Sequence, residues 1–194
     1  MAIRKKRSIK FLLTVFILTF FLAAILSSGT EAFLRVFPIT MTWILLIIVI
    51  TIGVVFDVIG IAVAAADEAP HHARAAKKVF GAKQSIYLIR RADKVANFAN
   101  DIVGDITGTV SGAMGAAIII LVTTKYSYLG SWKVILNVLM LALIASLTVT
   151  GKAWGKTLAI NEANNIIDIT GRVIATFEKF TGLDLTKTNN RGGR

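Results

Sequence analysis

Residues 39–66 are 28 consecutive positions that carry a single charge, Asp57. About 20 apolar residues suffice for a helix to cross a bilayer core, and few soluble folds use such a run. Residues 11–26, 95–122 and 132–149 repeat the pattern. The chain is therefore expected to be an all-α integral membrane protein. Residues 1–38 would supply an N-terminal hydrophobic helix and an external loop. Residues 39–180 would form a three-span helical domain with cytoplasmic juxtamembrane helices, and 181–194 a disordered basic tail. Run 39–66 exceeds the bilayer thickness, so it should tilt or project from it. Trp43 suits an interfacial anchor.

Arg4, Lys5, Lys6, Arg7 and Lys10 precede run 11–26, which at 16 residues is slightly short for a span. Ser27, Ser28 and Gly29 follow it. Basic start, apolar middle and small polar end fit both a retained signal anchor and a cleaved signal peptide. Either delivers the next segment to the membrane.

Charge sets the orientation. The formal net charge is +11, yet Lys and Arg flank apolar runs and do not form a stripe interleaved with aromatics, so nucleic acid is not an expected partner. Five of them lie in 1–10, seven in 67–94 and seven in 151–194, against Arg35, Lys125 and Lys133 elsewhere. Basic loops stay inside. Both termini and the middle loop are then cytoplasmic if the first segment is retained, in a multi-pass protein of a plasma membrane of the bacterial inner-membrane type. The expected partners are the lipid bilayer and, at the cytoplasmic Lys and Arg, anionic headgroups. With no cysteine, disulfides, thiolate metal sites and cysteine nucleophiles are excluded.

Between the spans, 67–94 reads as two short surface helices, with Pro70 in the first turn after Asp67 and Glu68 and a break at Gly81. Residues 123–131 read as a polar loop with Tyr126 and Tyr128, leading to Trp132. Residues 151–180 read as one amphipathic helix bearing Leu158, Ile160, Ile166, Ile167, Ile169, Val173, Ile174 and Phe177.

The third run carries the chemistry. Gly104, Gly108, Gly112 and Gly115 share a helical stripe, while Asn97, Asp101 and Asp105 lie on one adjoining stripe and Asn100, Thr107 and Ser111 on another. Ionisable groups in a span are costly and usually face a bundle interior or a water-filled path. Carboxylate, amide and hydroxyl oxygens are hard ligands suited to Mg²⁺ or Na⁺. The competing reading is packing: Gly108, Gly112 and Ser111 allow close approach and polar side chains hydrogen-bond across helices. Asp57 has the same two readings, an ion pair or neutral burial against a cation site shared with Asp101 or Asp105; Gly53 and Gly60 would let its span come close. Glu68, His71 and His72 have spacings of three and four, so Glu68 and His72 could meet as a metal pair, although a helix start at headgroup level, where polar residues are ordinary, is the stronger reading. Nucleophile elbows, zincin pairs, phosphate loops and dinucleotide fingerprints are missing, so an enzyme is not expected.

The order of short motifs carries a resemblance. Asp67-Glu68-Ala69 closes one span, and Gly81-Ala82-Lys83-Gln84-Ser85-Ile86 follows. Then come Asp93, Ile102-Val103-Gly104-Asp105 and, after the last span, Gly151-Lys152-Ala153-Trp154-Gly155-Lys156. Over 39–180 this resembles the transmembrane domain of the CNNM/CorC family of magnesium transport proteins. The resemblance implies three spans, a belt of juxtamembrane helices, a homodimer, and a cation held at the end of one span and at a Gly-Asn-Asn turn of the next. Those positions correspond here to Ala66, Asp67 and Glu68, and to Gly104, Asp105 and Ile106. The family's motif after its last span corresponds to Gly151, Lys152, Gly155 and Lys156. Aspartate in place of asparagine at 105 keeps an oxygen ligand and adds negative charge. The family's paired nucleotide-sensing domains are not expected in the residues after 180. The function expected is binding, and transport, of a Mg²⁺-like divalent cation. The alternative is a non-transporting scaffold or regulator that binds lipid or a partner through its basic surface helices.

Overall fold

The structure, a computed structural model, describes residues 2–183, and within them it contains helices and turns without strands. The expected tail lies outside the described residues from 184 onward. Four helices are long and apolar enough to cross a membrane: Leu12–Val36, Ile39–Ala65, Ala92–Lys125 and Ser127–Asn161.

Helix α1 (Ala2–Val36) runs straight through Ser27–Gly29, where the sequence suggested an end. Its hydroxyl and charged groups find partners within the helix: Thr30 donates to the Leu26 carbonyl at 2.8 Å and Arg35 pairs with Glu31 at 3.2 Å. The apolar segment thus has 25 residues, enough for a full crossing. Pro38 ends it, since the residue before a proline is driven out of the helical region.

Helix α2 (Ile39–Ala65) begins directly after Pro38. The stretch after it contains three helices, not two: α3 (Glu68–Ala76), α4 (Ala82–Ile89) and α5 (Ala92–Ala96). Gly81 sits at φ +86°, a left-handed conformation that breaks the chain between α3 and α4. A π-helical turn, Asn97–Val103, leads into α6 (Gly104–Lys125), and a 3₁₀ turn, Ser127–Trp132, replaces the expected loop.

The largest departure is at the end. Helix α7 (Lys133–Asn161) continues through Gly151 and Gly155, and a separate helix α8 (Ala163–Thr181) starts two residues later, so 151–180 is not one helix. Glycine weakens a helix but does not end it where packing uses the missing side chain. A Cβ at Gly151 would stand 3.0 Å from a methyl of Val54. The break falls at Glu162, in a polar run where Asn165 donates to Glu162 at 2.6 Å.

The chain forms two compact units. One takes the residues up to Phe56 and Asn100–Ala153; the other takes Asp57–Ala99 and the chain from Trp154 onward. In the first unit α6 is central, with 44% of its apolar window buried against 17% or less for the other three. Its Ile106, Val110, Met114 and Ile118 pack with Leu46 of α2 and with Met140 and Ile144 of α7, while Val15 and Leu22 of α1 lean on this core. Gly115 admits Ile144, and Gly53 admits Thr107. The outward faces of α2 and α7 stay apolar, with Ile47, Ile48, Val138, Leu139 and Leu147 exposed.

In the second unit α4 packs against α3 and α8. The core joins Ala62 and Val63 of α2, Leu88 of α4, Ala159 of α7 and Ile167 of α8. Contact is close because two glycines face each other's backbone. A Cβ at Gly81 would lie 2.7 Å from the Arg172 nitrogen, and one at Gly171 would lie 2.7 Å from the Gly81 carbonyl oxygen. The buried Ser85 hydroxyl donates to the Ile167 carbonyl at 3.1 Å.

Candidate functional site

The π-helical turn holds Asn97, Asn100 and Asp101 in the residues leading into α6. Such turns insert one extra residue into a helical turn, and they recur at functional sites because they redirect side chains at a cost in helix stability. Asn100 Oδ1 is buried and makes no hydrogen bond. An unsatisfied buried amide oxygen costs on the order of 1–3 kcal/mol, so native structures rarely keep one without a reason.

The two carboxylates of the run do not enter the bundle core. Asp101 and Asp105 are exposed on the side of the third span away from Ile102, Ile106 and Val110. Gly104 is buried, and Gly108 and Gly112 are half-buried. The hydroxyls bond within their own helix and not across to neighbours: Thr107 to the Val103 carbonyl at 2.9 Å, Thr109 to Asp105 at 2.9 Å and Ser111 to Thr107 at 2.6 Å. Of the small residues, Gly53 is in tight contact with Thr107, Gly112 touches Leu141 at 3.9 Å, and Gly108 has open space where a Cβ would be. Gly60 is buried in α2.

Asp57, Asp67 and Glu68 belong to the second unit, whereas Asn100, Asp101, Gly104 and Asp105 belong to the first. Asp67 is exposed, and its backbone N–H donates to Asn164 Oδ1 at 2.9 Å. Glu68 Oε1 accepts from Arg90 at 2.5 Å and lies 2.7 Å from His72 Nε2. The Arg90 guanidinium thus stands where the expected metal pair would need its cation. Arg90 first, then His72, lowers the Glu68 pKa below its ordinary value. Among the described residues no group of three or more His, Asp or Glu side chains comes together.

One constellation escaped the sequence reading. His71 is 1% exposed, with Nδ1 3.4 Å from Asp168 Oδ1, and Arg74 pairs with Asp168 Oδ2. The signal was an acid among the inward positions of α8, beside Ile167 and Gly171, since buried carboxylates need partners. Burial lowers the His71 pKa, with a contact to Asn164 opposing and the Arg74 charge assisting.

The sign for stability follows. Above the unfolded value of 6.5 His71 is neutral in both states and the full stability is present. As pH falls below that value, the unfolded chain binds a proton that the folded chain refuses, and stability drops until the lowered folded pKa is passed. The slope for one group is at most ~1.4 kcal/mol per pH unit. A thermal-unfolding profile followed by tryptophan fluorescence should fall below pH 6.5 in the parent and flatten in His71→Asn. An unchanged profile in the variant would assign the dependence elsewhere.

Comparison with family models, with curated proteins and with solved structures finds no match to the chain.

Proposed function

We propose that this chain is a multi-pass membrane protein that holds a hard, Mg²⁺-like cation at the π-helical turn of its third span and carries it across the bilayer. The observation that carries the reading is the buried, unpartnered Asn100 oxygen in that turn. Asp101 lies next to it in the chain, and Asp105 shares the stripe of Asp101. Mg²⁺ keeps several waters and takes one or two carboxylates, so a sparse all-oxygen set suits it better than a crowded cage would. Asn100, Asp101 and Asp105 would hold the ion, whose charge the two aspartates would balance. The ordered resemblance to CNNM/CorC domains and the positive-inside pattern support the same reading, with the second unit cytoplasmic and a homodimer as the assembly.

Mg²⁺ at a hundredfold excess over its dissociation constant should stabilise the detergent-purified protein by about 2.7 kcal/mol. Asn100→Ala and Asp101→Asn should each abolish most of that gain, and Mg²⁺ flux into proteoliposomes should fall with it in Asp101→Ala and Asp105→Ala. An equal thermal shift in parent and variants, or flux no higher than in empty vesicles, would remove the proposal.

The second reading, a scaffold that binds lipid or a partner without transport, is favoured by the engagement of Glu68 with Arg90 and His72. It predicts no Mg²⁺ effect on stability at all.

A further inference from the structure

Helix α8 is apolar on two opposite faces. Ala163, Ile167, Gly171 and Ala175 are buried, the first of these faces closing on α4. Ile169, Val173, Phe177 and Phe180 follow one another at spacings of four, four and three, which sets them on a single stripe about 180° from the buried one. They are 62%, 63%, 52% and 86% exposed. Four bare side chains of this size along three helical turns form a contiguous surface, not a scatter of single apolar residues. Arg172 and Lys179, seven apart, run along one edge of it.

The surroundings identify the occupant. Through Ile167, α8 shares its core with Ala62 and Val63 at the end of α2 and with Ala159 at the end of α7, both candidate membrane spans. Only Glu162 separates α7 from α8, so α8 has no slack to leave the level at which α7 ends. Trp154, 70% exposed on α7 in the same unit, is of a residue type enriched at headgroup level. An apolar stripe edged by long basic side chains at that level matches an anionic bilayer surface: the stems lie along the apolar boundary and the charges reach phosphates.

We propose that α8 is an in-plane interfacial helix, with Ile169, Val173, Phe177 and Phe180 seated in the headgroup–acyl boundary and Arg172 and Lys179 directed to anionic headgroups. The proposal rests on the membrane part of the reading above and is independent of its cation part. Docked in this way, α8 ties α4 and the ends of two spans to the lipid surface, so lipid charge acts directly on the second unit.

Because the chain has no cysteine, single-cysteine variants give clean labelling. Nitroxides at Val173→Cys, Phe177→Cys, Lys179→Cys and, as a span control, Ile47→Cys would be read in phosphatidylcholine–phosphatidylglycerol nanodiscs by collision with oxygen and with a water-soluble nickel chelate. The expected result is oxygen-dominated collision at 173, 177 and 47 and nickel-dominated collision at 179. Replacing the mixture by phosphatidylcholine alone should move 173 and 177 toward nickel and leave 47 unchanged. Nickel-dominated collision at 173 and 177 with a normal control would overturn the proposal. So would suppression of both collisions there, the sign of a second copy or another protein on the face. Equal depth in both lipids would overturn the anionic requirement. Failure of the Ile47 control would instead overturn the membrane reading itself.

Discussion

Gly171→Ala is expected to destabilise the second unit by about 2–3 kcal/mol, although alanine is the better helix former by ~1 kcal/mol at an ordinary site. The new methyl would meet the Ser85 hydroxyl, the Gly81 carbonyl oxygen at 2.7 Å and the Ser85 nitrogen at 3.0 Å. Two of those atoms are backbone and cannot swing aside, so α8 must back away from α4. That separation also breaks the hydrogen bond from Ser85 to the Ile167 carbonyl, leaving the hydroxyl its local bond to the Gly81 carbonyl and the Ile167 carbonyl without this donor. Hydrogen exchange should show faster exchange in α4 and α8, with α6 unaffected. Gly108→Ala is the internal control, since a Cβ there meets nothing within 4 Å. It should be neutral or gain up to ~1 kcal/mol. Equal effects at the two positions would mean that the α4–α8 contact is not the close backbone packing described above.

The second large effect is expected at the ion pair of Arg74 with Asp168. The Asp168 side chain is 10% exposed and that of Arg74 33%. Removing the guanidinium leaves a nearly buried carboxylate without its cation, beside His71, and breaking such pairs costs about 3–5 kcal/mol. Because Arg74 keeps some contact with water, the lower end, about 3 kcal/mol, is expected for Arg74→Ala. The pair itself need not stabilise, since its desolvation offsets much of its attraction. The double variant Arg74→Met, Asp168→Leu should therefore recover most of the loss. The single variant should also weaken the acid response. Losing Arg74 removes one of the causes that lower the His71 pKa, so its folded value moves back toward the ordinary one and the loss of stability on acidification shrinks, with burial still holding it low. A double variant as unstable as Arg74→Ala, or a single variant with the parent's pH profile, would contradict this account.

How much of this was legible beforehand differs from element to element. Each apolar run lies within a helix long enough to cross a bilayer, because length and hydropathy are local quantities. Pro70 and Gly81 likewise acted as punctuation, one in the first turn of α3 and the other by adopting a positive φ of 86°. The division read just before Gly151 misled because a glycine reads as a breaker unless its neighbour in space is known. At Gly151 that neighbour is Val54, nearly a hundred residues away. Ser27–Gly29 misled differently, since a Cβ at Gly29 would meet nothing within 4 Å and the helix simply continues across it.

The candidate site shows the same division. Asp101 and Asp105 could be placed on a common stripe from their spacing, but spacing does not say which side of a helix a bundle will cover. Packing put Ile106, Val110 and Met114 inward and the acids outward. The π-helical turn at Asn97–Val103 has no signature in composition, because it arises from accommodating an extra residue under tertiary constraint. Asp168, His71 and Arg74 are brought together by two helices ninety residues apart in the chain.

By itself, then, the sequence determined that this protein is helical, that it has four apolar runs of which 11–26 alone falls slightly short of a bilayer crossing, and that its positive charge gathers in the segments before, between and after them. Periodicity and side-chain hydration act over a few residues and need no partner to be specified. Only the tertiary structure decided where α7 gives way to α8, that Asn100 keeps a buried unpaired oxygen, and which charges are buried together. Each of these depends on which surfaces meet, and close backbone contacts such as Gly81 against Arg172 select among locally equivalent helices.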